Sequence, residues 1–177
     1  MKLKVAQVVG LNTDQKAAQV YSSIQNAENA FFALLVLECD DAFTKGRQTL
    51  SELGDFYFDF EGTPSEKLTA SSKTISEKLK DVAQFDFILA SVSGKVLYIL
   101  GKGLVEVYLK RDGKIQQLLS VGSPQDLISG FLEVEDRMLF ATKNLTTYLA
   151  DDLTNALDLP IEEFEEDISN RIWQVAS

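Results

Sequence analysis

The stretch Phe87–Leu119, "FILASVSGKVLYILGKGLVEVYLKRDGKIQQLL", decides the fold. It reads as four short strands joined by tight turns. Ser93-Gly94 and Asp112-Gly113 are hairpin signals, because the first or both central residues of such turns take positive φ. Gly101-Lys102-Gly103 breaks the run in the middle. In "FILASV" and "LYIL" both alternating faces are apolar, so each strand is covered on both sides. Two sheets stacked face to face with helices outside satisfy that demand.

Working outward, "FFALLVLEC" before the stretch is a continuous apolar run, as expected of a strand buried on both faces. "KVAQVVGL" at the start alternates weakly and reads as a first strand, with "AAQVYSSI" as the next. Between Cys39 and Phe85 the period becomes helical. Phe43, Leu50 and Tyr57 form one row and Gly46, Leu53 and Phe60 its neighbour. Gly62 and Pro64 mark a helix stop and start. A second helix runs over about 65–83, with Leu68, Ser72, Ile75, Leu79 and Val82 on one face. Downstream, "SGFLEVE" and "RMLFAT" read as strands. A helix over 145–157 presents Leu145, Tyr148, Leu149, Leu153 and Ala156. Asp158 and Pro160 then cap and open a last helix with the stripe Ile161, Phe164, Ile168, Ile172 and Val175. Helices grouped apart from strands indicate mostly antiparallel sheets, in the α+β class. The expected division is a domain over 1–158 and an amphipathic helix over 159–177, packed on the domain or leading outward.

The 177 residues are 45% hydrophobic and 25% charged, enough for a sizeable core. The net charge of −10 speaks against nucleic acid and against docking on anionic lipid. No apolar run approaches the ~20 residues of a membrane span, and the first segment lacks a signal-peptide cleavage pattern. One cysteine, Cys39, rules out an internal disulfide and suits a reducing compartment, so a cytoplasmic location is expected. The absence of histidine removes Ser-His-Asp and Cys-His nucleophile systems and ordinary zinc sites. Any metal would be hard and oxygen-bound, such as Mg²⁺ or Mn²⁺.

From Phe31 to Leu149 the order of elements resembles the metal-dependent PPM (PP2C-type) protein phosphatases. The opening stretch is similar to the family's run around Gly-Asp-Ser-Arg. "SGFLEVEDRMLFATKNL" is similar to its run ending in Thr-Asp-Gly. The resemblance implies a four-layer αββα sandwich, in which two metal ions held by aspartates activate a bridging water. The departures fall on that chemistry. The family's Asp-Gly-x-Gly-Gly is met by Glu38-Cys39-Asp40-Asp41-Ala42. Its Gly-Asp-Ser-Arg is met by Gly101-Lys102-Gly103-Leu104, and its Thr-Asp-Gly by Thr142-Lys143-Asn144. Asn12-Thr13-Asp14 faintly echoes its early Asn-x-Asp, and its late Asp-Asn pair before a final strand has no counterpart.

The expected function is therefore a catalytically inactive phosphatase-fold domain, acting as a binding or regulatory module with a protein partner and no cofactor. Glu38, Asp40, Lys102, Lys143 and Asn144 are its degenerate metal-site positions. Lys143 weighs most, since an ammonium repels the cation a carboxylate would hold. One alternative is an active Mg²⁺- or Mn²⁺-dependent phosphohydrolase with a rearranged site at Glu38, Asp40 and Asp41. Another is an unrelated α/β sandwich. Against the acidic site stands a plainer reading, in which Asp40 or Asp41 caps the following helix. A further alternative has Lys102 and Lys143 bind phosphate directly in place of metals, against the plainer reading of two solvated turn lysines. Cys39 reads as a small core residue. Phe56, Phe58 and Trp173 are candidates for a partner surface.

Overall fold

The computed structural model describes residues 2–120 and 126–176. Eight strands form two antiparallel sheets. Sheet A has the order β1 (Lys16–Asn26), β2 (Asn29–Glu38), β3 (Gln84–Ser93), β4 (Val96–Lys102), β7 (Ile128–Phe131). Sheet B has the order β6 (Lys114–Leu119), β5 (Val105–Arg111), β8 (Arg137–Thr142). Helices α1 (Ala42–Asp59) and α2 (Pro64–Lys78) cover the outer face of sheet A. Helices α3 (Lys143–Leu149), α4 (Leu153–Asp158) and α5 (Ile161–Ala176) lie on the side of sheet B.

Strand alternation makes the layers. Along β2, Phe31, Ala33, Leu35 and Leu37 pack under α1 and α2. Ala30, Phe32, Leu34 and Val36 face the space between the sheets. There they meet Ile88 and Ile99 from sheet A and Val105, Val107 and Leu119 from sheet B. A third cluster, Leu139, Ala141 and Leu157 with Phe164, seals sheet B against its helices. Gly101 lets the sheets close: a Cβ there would lie 2.3 Å from Leu119 Cδ2. Gly54 does the same for α1, where a Cβ would lie 2.3 Å from the Tyr21 hydroxyl.

The hairpins around Gly94 and Asp112-Gly113 form as the sequence indicates, with positive φ at all three residues. Other expectations are corrected. Residues 4–11 form no ladder. Gln7 donates to Ser22 Oγ at 2.9 Å, and Leu3, just before the segment, packs at the inter-sheet core. The second helix ends at Lys78, although Leu79 and Val82 are still buried. Phe43 is exposed and Phe60 lies beyond α1, whose buried stripe is Ala42, Gly46, Thr49, Leu50, Leu53, Gly54 and Tyr57.

The single helix expected over 145–157 is broken by a 3-10 turn at Ala150–Asp152, where Ala150 has φ 44°. Arg137 of β8 donates to the carbonyls of Leu157 and Leu159 and draws α4 onto the sheet. Tyr148 is left exposed, and Asp158 pairs with Lys110 instead of capping α5. α5 packs on the domain through Phe164, and Ile168 is buried.

Candidate functional site

Register places the expected positions at one end of the sandwich. Lys16 pairs across from Glu38, Glu38 from Gln84, Phe87 from Lys102 and Val105 from Thr142. The Lys143 N–H donates to the Leu104 carbonyl at 2.9 Å, which ties the β4–β5 turn to the β8–α3 junction. Glu38, Lys102 and Lys143 thus share a rim. Their side chains do not converge.

Glu38 has the parity of Val36 and Leu34 and faces the inter-sheet side. Its carboxylate is taken by Lys16 Nζ at 3.1 Å. Lys102 has the parity of Leu100 and Tyr98, on the α1–α2 side, and its ammonium lies 4.1 Å from the Phe85 ring centroid. Such a cation–π contact holds the head by the ring quadrupole. Lys143 opens α3 and reaches the opposite outer layer, 3.3 Å from Glu106 Oε1. With sheets about 10 Å apart, the two ammonium groups stand on opposite sides of the sandwich. This corrects the idea that they bind one phosphate together.

Glu106 is the residue that sequence reasoning missed. It is 3% exposed and accepts from the Thr146 hydroxyl, the Tyr108 hydroxyl at 3.1 Å and the Gln117 amide. Burial works to raise its pKa. The bonds from Thr146 and Tyr108 and the Lys143 ammonium outweigh it and hold the carboxyl below the usual glutamate value. The signal was in plain view: Glu106 is the lone charge in "LVEVYL", and a buried carboxylate needs partners. Asp86 was also missed. It packs against Gly103, where φ is 89° and a Cβ would lie 1.9 Å from Asp86 Oδ1. Glycine is required at that turn on both counts.

The loop after β2 is fastened to the chain before β1: the Cys39 N–H donates to Gln15 O at 3.0 Å and the Ala42 N–H to Asp14 O at 2.9 Å. Asp41 stands at the N-cap of α1 in the left-handed region, with φ 54°, and makes no side-chain cap bond, so the capping expected of it fails. Asp40 is exposed and Cys39 half-buried against the α1–α2 core. Asn144 is exposed in the first turn of α3, while Thr142 Oγ1 accepts from the Leu145 N–H. Phe56 and Phe58 are half-buried. Phe56 packs against Phe60, and Phe58 stands edge-on to Tyr57 at 5.1 Å, which makes both packing residues. Trp173 lies among the side chains outside the described residues.

The αββα architecture and the strand-to-helix turns at its rim define a class, the phosphatase-type sandwich. The chain has the fold of the PP2C-type phosphatases. It superposes on the serine/threonine phosphatase PstP/Ppp of Mycobacterium tuberculosis with a TM-score of 0.63 and 16% identity, over 95% of this chain and 90% of that one. A bacterial serine phosphatase gives a TM-score of 0.68 at 18% identity, over 93% and 85%. RsbX in complex with magnesium gives 0.65 at 13%, over 95% and 84%. No family model matches the sequence, and no curated protein matches it. The likeness sets aside the reading as an unrelated sandwich.

The residues present do not fit the metal ions that the fold implies. A lysine stands at two of the three compared positions, and the third carboxylate is engaged by Lys16. Among the described residues, no three of His, Cys, Asp or Glu come together to hold a metal. Among those residues, too, no helix is long and apolar enough to cross a membrane.

Proposed function

We propose that this phosphatase-fold domain has lost metal catalysis and works as a binding or regulatory module for a protein partner. The observation that carries the reading is Lys143. It follows β8 where the resembling family places a metal-binding aspartate, and its ammonium is engaged by the buried Glu106. A cation there opposes a divalent ion by charge and offers no lone pair while protonated. The same reading expects no bound cofactor and no contact with nucleic acid.

Calorimetric titration with Mn²⁺ and Mg²⁺, run beside hydrolysis of p-nitrophenyl phosphate, tests it. The expected result is no saturable binding and no turnover above buffer. Micromolar metal affinity with turnover that disappears in Glu38→Gln would overturn the reading in favour of a rearranged acidic site.

A further inference from the structure

The chain before β1 bridges sheet A and α5. Residues 3–12 make no backbone–backbone bond among the described residues. On the side of sheet A, Gln7 Nε2 donates to Ser22 Oγ at 2.9 Å, and Asn12 Oδ1 accepts from the Ala18 N–H at 2.9 Å. Leu3 packs at the inter-sheet core. On the other side Gly10 lies against α5, where a Cβ would stand 3.4 Å from Ile172 Cγ2. Leu3, Ala6 and Val8 are half-buried, while Val5, Val9 and Leu11 are exposed.

α5 itself is thinly held. Over residues 161–172, Ile168 is buried, and Ile161, Phe164 and Ile172 are half-buried. By contrast α1 buries Leu50, Leu53 and Tyr57 among others. Burial of an apolar face is what fixes a helix in a protein, since its own backbone bonds are marginal in water. Arg171 pairs with Asp152 at 3.0 Å and with Asp167 at 3.1 Å, but partly exposed pairs of this kind add little.

We propose that residues 3–12 are a strap that holds α5 against the domain, and that strap and α5 open together, ahead of the rest of the fold. Lifting the strap removes the contact between Gly10 and Ile172 and leaves α5 to its own sparse packing. The helix can then present the stripe of Ile161, Phe164, Ile168 and Ile172. The strap thereby sets how often α5 is free, and it does so whether or not the rim is catalytic.

Hydrogen exchange of the full chain tests this, with the α1 amides reporting opening of the whole domain. The α5 amides should exchange about tenfold or more faster than those of α1, because a unit that opens locally exchanges at its own lower opening energy. Leu3→Ala together with Gln7→Ala should quicken α5 about fivefold further and leave α1 unchanged. A disulfide between strap and helix should do the opposite. Gly10 has no positive φ, and its contact with Ile172 suits the separation of about 3.8 Å between Cβ atoms that a disulfide needs. In a Cys39→Ser background, oxidised Gly10→Cys with Ile172→Cys should slow α5 exchange about tenfold relative to its reduced form. Three results overturn the proposal: α5 amides as slow as those of α1; strap variants that leave α5 unchanged or speed α1 by the same factor; or a disulfide that does not slow α5.

Discussion

Replacing Glu106 tests whether Lys143 is a bound structural charge or a free one at the rim. The perturbations are Glu106→Gln, Lys143→Met and the double variant. The two charges lie 3.3 Å apart, with Glu106 4% and Lys143 47% exposed. At that separation the Coulomb energy is about 5 kcal/mol at an effective dielectric of 20 and about 1 kcal/mol in water. Screening of the half-exposed lysine and the entropy of ordering it bring the expected coupling to about 1–2 kcal/mol.

Glu106→Gln alone should cost about 2–3 kcal/mol, because an amide cannot accept from Thr146, Tyr108 and Gln117 as a carboxylate does. The pH dependence has a definite sign. Glu106 titrates below its ordinary value when folded, so its stabilising contribution is present above the unfolded pKa and is lost as pH falls through the folded one. The gap between wild type and Glu106→Gln should be widest near neutrality and close below about pH 4. Urea unfolding from pH 3 to 8 at low salt reads both quantities. A coupling within error of zero, or a gap that does not change with pH, would refute the tether and return Lys143 to the rim.

The remaining expectations concern the same junction and the helix layer. Lys143→Asp should not restore metal binding, since Lys102 and the Lys16–Glu38 pair are unchanged, and it should lower stability by setting a carboxylate beside Glu106; calorimetry and thermal unfolding check the two halves. Ala150→Gly should raise stability by about 1 kcal/mol, because φ 44° suits glycine; an unchanged melting temperature would argue against strain there. Gly54→Ala should cost about 1–3 kcal/mol, since the new Cβ meets a Tyr21 ring packed against Phe31. Denaturant midpoints would show it, and a neutral result would mean that α1 can move.

Sequence alone determined the elements whose cause is local or strictly periodic. The meander from Phe87 to Leu119 was legible because its turns need residues of positive φ and its strands alternate. The stripe of α2, Leu68, Ser72 and Ile75, was legible because burial recurs at helical spacing. The strand-to-helix turn at Thr142-Lys143 was legible too, and with it the wrong sign of charge at that position. Tertiary structure decided what depends on partners distant in the chain. Residues 4–11 looked like a strand but form no ladder. The helix after Lys143 breaks at Ala150–Asp152, and Arg137 of β8 bonds the Leu157 and Leu159 carbonyls farther on, at the end of α4. Asp41 had the position of a cap and the wrong backbone conformation to make its bond. Most of all, the sequence put Lys102 and Lys143 at neighbouring strand ends but could not say where their heads go. Strand parity and the buried Glu106 sent them to opposite faces, because a flexible side chain follows the nearest uncompensated charge or ring, and only the packed fold supplies one.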